Sequence, residues 1–193
     1  MKTKIVALVG ALLFGTSVFA AEITPYGTFN YKYSHDENSS GKAYSKLEDN
    51  GSSIGIDIDD IGVEGQTIIG FAKLEVGVDV DDAGSDTFDS ILAYVGLSAN
   101  SIGDISVGRQ SHPFTSNIGG KTSVFNVYGS KADWNYASRS SNSIAYSNDL
   151  GILSVDSLGI VDGSSSNTDA FDEYEWTVST NLFDSDISVG YAD

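Results

Sequence analysis

The sequence predicts an all-β protein, an antiparallel transmembrane β-barrel. Three observations lead there. Apolar and polar residues alternate with a period of two over stretches of about ten residues, and the connections between those stretches are alternately short and long. Aromatic residues, among them Phe29, Tyr31, Tyr33, Phe88, Tyr174 and Trp176, gather at or near the ends of the stretches, where interfacial girdles sit. A soluble β-sandwich also alternates between core and water, so alternation by itself leaves that fold open. Strand length, loop rhythm and the aromatics favour the barrel.

Residues 1–20 read as a signal peptide and stand outside the fold. Lys2 and Lys4 form a positive head, residues 5–15 an apolar run, and Val18-Phe19-Ala20 a small-residue cleavage site, with cutting expected after Ala20 or Ala21. The run is too short to cross a ~30 Å hydrocarbon layer, which argues against a membrane anchor. Strands are then expected near 23–34, 52–59, 67–80, 88–99, 104–111, 141–148, 151–162, 172–182 and 186–192. Residues 100–103, 148–151 and 184–186 are tight turns and 59–66 is another short one, whereas 35–50, 81–87, 112–140 and 163–171 are long polar connections.

Charge obeys the same alternation. Ile68, Ala72, Leu74, Val76, Val78 and Val80 share one face of their strand, and Lys73, Glu75 and Asp79 share the other. Likewise Ile54, Ile56 and Ile58 oppose Asp57, Ile91 and Ala93 oppose Ser90, and Trp176 and Val178 oppose Glu175. A charge at the middle of a bilayer costs roughly 2–4 kcal/mol, so a lipid-facing strand surface has to segregate its charges in this way.

Composition removes other classes. With no Cys among 193 residues there is no disulfide framework, thiolate nucleophile or Cys-bound metal, and His35 and His112 are too isolated for a triad or a zinc site. A formal charge of −17 argues against nucleic acid as a partner. The acidic runs 57–60 and 79–82 lack the glycine and terminal glutamate of a calcium loop and read as solvated rim charge. Neither cofactor nor metal is expected, and no nucleophile and base converge as an enzyme would need.

Several pieces of the chain, in order, carry a resemblance: residues 21–29 (AEITPYGTF), Ser53-Ile54-Gly55-Ile56, residues 69–75 (IGFAKLE), residues 93–98 (AYVGLS) and residues 103–110 (GDISVGRQ). Behind a signal peptide, this series resembles the trimeric general-diffusion porins of Gram-negative outer membranes. The resemblance implies a sixteen-stranded barrel of which this chain, with about nine strands, would be the N-terminal part. It lacks the terminal Phe or Trp of that family. If two of the nine segments are one strand, a complete eight-stranded barrel is the other possibility.

The resemblance also implies that residues 112–140, with Ile118-Gly119-Gly120, form an inward-folded constriction loop. Arg109 and Arg139 would match basic residues of the channel wall there, with Asp133 on the loop facing them beside Lys121 and Lys131. Strand parity nevertheless puts Arg109 with Ile105 and Val107. A bulge near Gly108 could re-aim it, and an arginine at the membrane rim stays open as the alternative. Trp134 and Tyr136 are read as packing the loop onto the wall, and His112-Pro113 as its entry.

The expected function is that of a porin: a water-filled channel for passive diffusion of small hydrophilic solutes and ions, working as a homotrimer in outer-membrane lipid. Strand parity nominates Lys32, Asp57, Lys73, Glu75, Asp79 and Glu175 as pore lining, and four acids against two bases predict a modest cation preference. The alternative is a small outer-membrane barrel serving as an adhesin or structural surface protein without a conducting pore.

Overall fold

The computed structural model describes residues 20–62, 65–81, 87–122, 137–161, 171–183 and 185–193. Residues 1–19 of the expected signal peptide 1–20 lie outside them, as do Lys131, Asp133, Trp134 and Tyr136. The described residues form the strands β1 (Ala20–Thr28), β2 (Tyr31–Glu37), β3 (Ala43–Asp49), β4 (Ser53–Gly62), β5 (Ile68–Val78), β6 (Phe88–Ala99), β7 (Gly103–Ser111), β8 (Arg139–Asp149), β9 (Ser154–Ile160), β10 (Glu173–Leu182) and β11 (Ser185–Ala192). Nine of them make one antiparallel sheet in the order β1-β4-β5-β6-β7-β8-β9-β10-β11, and β2 pairs with β3 alone. The large sheet is an unclosed barrel wall whose edges are β1 and β11.

The connections fall into two sets. Residues 63–67, 100–102, 150–153 and 183–184 join strands at one end, while the β2–β3 hairpin, 79–87, 112–138 and 161–172 join them at the other. This rhythm follows from up-and-down topology, in which each strand reverses beside its predecessor.

Two faces result. The cross-strand row Ala72, Val95, Val107 and Ile144 runs along one. Val95, Val107 and Ile144 are exposed there, as are Ile54, Ile56, Leu97 and Ile105. So much bare aliphatic surface suits acyl chains, since each Å² withdrawn from water is worth about 25 cal/mol. The opposite face carries the row Phe71, Gly96, Ser106, Ala145, Leu158, Glu175 and Ala192. On this polar face Ser106, Leu158, Glu175 and Thr177 are buried.

All nine expected segments are strands of the sheet, but local irregularities depart from the alternation, among them a break after β1 and a bulge in β6. The segment expected at 23–34 breaks at Phe29-Asn30, and the chain continues into the β2–β3 hairpin, which includes residues 43–49 expected as loop. Asn30 N–H donates to Ser52 Oγ at the break, and Asn50 N–H donates to the Asn30 carbonyl. In β6, Glu75 pairs with Leu92 but Val76 pairs with Ser90, which makes Ile91 a bulge. Ile91 therefore leaves the apolar face where Ala93 lies and packs over Gly77, and Ser90 takes its place.

Candidate polar face and its docked segment

After Ser111 the chain could run outward, but it turns onto the polar face. His112 precedes Pro113, which holds it extended, and proline suits the first turn of the helical residues 113–122. This segment includes the wide turn Thr115–Gly119 followed by Gly120–Thr122. It is held at three places. At its base His112 Nδ1 lies 3.2 Å from Glu175 Oε2 while His112 Nε2 lies 2.8 Å from Ser140 Oγ, and Phe114 N–H donates to Glu175 Oε1 at 3.3 Å. In the middle Asn117 Nδ2 donates to Asp156 Oδ2 at 2.9 Å and to Thr177 Oγ1 at 2.8 Å. Near its end Ile118 packs on Gly190, where a Cβ would come within 2.9 Å of Ile118 Cδ1, and Lys121 Nζ reaches Ser188 Oγ at 2.8 Å.

A second polar cluster occupies the β1–β4–β5 side of the same face. Asp57 and Lys73 are direct cross-strand partners and pair at 2.9 Å. Tyr26 crosses Gly55, whose bare Cα leaves room for the ring, and its hydroxyl donates to Glu75 Oε2 at 3.0 Å. Lys73 Nζ also sits 4.7 Å from the centre of the Tyr26 ring, a cation–π contact. Acid and base are thus interlocked rather than spread singly along the wall.

The residues nominated from the sequence distribute unevenly. Asp57, Lys73 and Glu75 meet in this cluster, and Glu175 lies beneath the docked segment. Asp79 follows the last residue of β5, at the long-connection end of the sheet. Lys32 belongs to the hairpin, away from the nine-stranded sheet, and pairs with Glu48 at 3.2 Å. Lys46 engages the same carboxylate, and the two lysines, Lys46 foremost, hold Glu48 below the usual carboxylate range. Hydrogen bonds from Ser52 and then Gly51 do the same for Asp49.

Arg109 is not brought to this surface. In β7 Ser106 and Gln110 are buried on the polar face, and Arg109 shares the parity of the exposed Ile105 and Val107. Its Nε donates to the Ser90 carbonyl at 3.0 Å and its Nη1 to Ser141 Oγ at 3.3 Å. The expected irregularity exists but lies across the ladder: Gly108 pairs with Ser143 and Gln110 with Ser140, so the extra residue is in β8 and Arg109 keeps its alternation. Gly108 itself has φ 136°, and a Cβ there would stand 2.2 Å from the Ala93 carbonyl oxygen. Arg139, at the start of β8, pairs with Ser111.

Several polar-face residues escape the sequence reading, among them Asp104, Asp156, His112 and Asn117. Asp104 and Asp156 obey strand parity and could have been found by extending it to β7 and β9. His112 was read only as a loop entry. Asn117 carries no sequence signal, because its role depends on the docking of a segment without regular periodicity.

The chain matches the model of the Gram-negative porin family over residues 6–193. No curated protein sequence matches it. Among solved structures it is similar to an anion-selective porin from Comamonas acidovorans, with 18% identity and a TM-score of 0.71 over 90% of this chain and 57% of that one. It is also similar to OmpF of Salmonella typhi in complex with daunomycin, with 18% identity and a TM-score of 0.63 over 89% and 53% of the two chains. A loop-deletion mutant of OmpT, an outer membrane protein of Vibrio cholerae, has 14% identity and a TM-score of 0.59 over 90% and 69%. This chain thus spans a little over half the length of the first two structures, whose likeness is one of fold. An antiparallel wall with one aliphatic face, one polar face and a segment docked on the polar side agrees with the family match: the chain belongs to the Gram-negative porin family.

Proposed function

We propose that the protein forms a water-filled channel in the outer membrane, through which small hydrophilic solutes and ions diffuse passively, and that it does so as a homotrimer. The observation that carries this reading is the docking of residues 113–122 onto the polar face through Glu175, Asp156, Thr177 and Ser188. A segment held there narrows whatever space the polar face encloses, and selection in such a pore comes from its narrowest radius and the charges lining it. An adhesin without a pore would need no plug on the inner side of its wall.

In this reading residues 112–140 are the constriction loop and the signal peptide directs export. Asp57, Glu75, Asp104, Asp156 and Glu175 line the lumen against Lys73 and Lys121, which raises the local concentration of cations and favours their passage. Conductance in planar bilayers tests the proposal: stepwise openings are expected, with a reversal potential in a salt gradient displaced toward that of the cation. Silence from a folded, membrane-inserted sample would instead support the adhesin. Chemical cross-linking of that sample reads the trimer directly.

A further inference from the structure

A cavity of about 340 Å³ opens on the polar face between the first turn of the docked segment and the strands β5 to β9. One wall is aromatic, formed by Phe71 and Tyr94 with ring centroids 6.4 Å apart and planes at 79°. Another carries two carboxylates. Asp104 pairs with Ser147 and Ser147 with Asp156, so the acids flank a small residue along one cross-strand row. Asn117 covers them from the docked segment.

Among the described residues no Lys, Arg or His lines this space. Ser147 Oγ donates to Asp156 Oδ1 at 2.6 Å and Asn117 Nδ2 to Oδ2 at 2.9 Å. Both donors are neutral, so they orient the carboxylate without cancelling its charge. Lys73, the cross-strand partner of Tyr94, is already engaged by Asp57 at 2.9 Å and by the Tyr26 ring. The cavity therefore joins an aromatic face to negative charge that no cation among the described lining residues neutralises.

We propose that this cavity binds small organic cations with a flat apolar body, such as an arylalkylammonium. The ring of such a solute stacks against Phe71 and Tyr94 while its ammonium reaches Asp104 and Asp156. A bare metal ion fits less well. Two strand spacings of about 4.8 Å each separate the backbones of the two acids, and a single ion needs several oxygens converging at 2.3–2.6 Å. The proposal deepens the channel reading by naming a solute class, and it rests on that reading for water to reach the polar face.

The test is calorimetric titration of the folded protein in detergent micelles with phenethylammonium, with phenethyl alcohol and phenylacetate as neutral and anionic counterparts. Binding of the ammonium alone is expected, weakened roughly tenfold in the isosteric variant Asp104→Asn, where charge is lost without shape. Tyr94→Leu, which removes the aromatic wall and leaves both acids, is expected to weaken it as well. Equal binding of the alcohol, or unchanged affinity in both variants, overturns the proposal. Bilayer conductance of the same preparations separates the two readings. A conducting protein that does not bind the ammonium sinks the cavity and keeps the channel; one that binds it selectively but does not conduct keeps the cavity and sinks the channel.

Discussion

His112 and Glu175 are 63 residues apart in sequence and meet at 3.2 Å, each only 4% exposed. The carboxylate that takes the imidazole at Oε2 also accepts the Phe114 N–H at Oε1, so one side chain of β10 fixes the start of the docked segment. Replacing Glu175 with Ala removes both acceptors from a buried place, and a buried donor left without its partner costs about 1–3 kcal/mol. The variant is expected to unfold at lower denaturant concentration and, as the base of the segment loosens, to show larger and noisier single-channel conductance. A denaturant titration in detergent and bilayer recordings measure the two effects. Unchanged conductance in a destabilised variant would mean that Glu175 supports the wall without setting the loop.

The Asp57–Lys73 pair predicts a selectivity change. Lys73 lies on this face, held by Asp57 and the Tyr26 ring beside Glu75. Lys73→Met keeps the length of the side chain and leaves both carboxylates without their cation. In a partly exposed site the pair is worth about 1 kcal/mol or less, so stability should change little. Cation preference should increase, read as a reversal potential moved further toward the cation. A shift toward the anion would contradict the placement of this cluster at the lumen.

How far the sequence reveals this molecule depends on what each residue has to satisfy. Ile54, Ile56, Val95 and Ile105 meet one environment while Asp57, Glu75 and Glu175 meet another, and that division is written into a period of two. The β2–β3 hairpin is different: residues 31–47 are mostly exposed on both sides, so nothing forces alternation and the strands are hidden from a pattern search. Bulges are similarly silent, since the extra residue at Ile91 changes which face Ser90 occupies without any change in composition. Arg109 shows the limit of a motif, because Gly108-Arg109-Gln110 fits the family pattern while parity alone tells which way the guanidinium points. The site suffers most, for Asn117 and His112 acquire their partners through a segment whose path no local periodicity describes.

The apolar face yields a third prediction. Val95 pairs with Ala72 on one side and Val107 on the other, in a row of small aliphatic side chains. Val95→Arg places a charge in that row and is expected to cost about 2–4 kcal/mol if the strand centre lies in the hydrocarbon. Ser106→Arg, on the polar face, crowds the lumen but meets no lipid. Folding equilibria in lipid vesicles compare the two. The same small penalty at both positions would argue that the aliphatic face is wet.

The hairpin predicts a pH effect whose sign follows from its two depressed carboxylates. Glu48 is held low by Lys46 and then Lys32, and Asp49 by hydrogen bonds from Ser52 and Gly51. A carboxyl whose folded value lies below its unfolded one adds stability that is fully present above the unfolded value and is lost as pH falls through the folded one. With ordinary values of 4.5 for Glu and 3.8 for Asp, the β2–β3 pairing should be complete at neutral pH and should loosen on acidification below that range. Lys46, raised by the same contact with Glu48, adds the opposite limb: its contribution holds below the ordinary lysine value of 10.5 and is lost as pH climbs through the raised one. Amide exchange at Ser34 and Lys46, register partners in phase with the hydrogen-bonded pairs Asn30–Asn50 and Asn38–Lys42, reads the pairing directly. After correction for the intrinsic dependence of exchange on pH, protection should be highest between these limits and fall on both sides. Glu48→Gln should weaken the alkaline limb, since it takes away the main partner that raises Lys46, while Asp49 still supplies an acid one. Flat protection in the unaltered protein from pH 3 to 7 would show that these contacts do not hold the hairpin together.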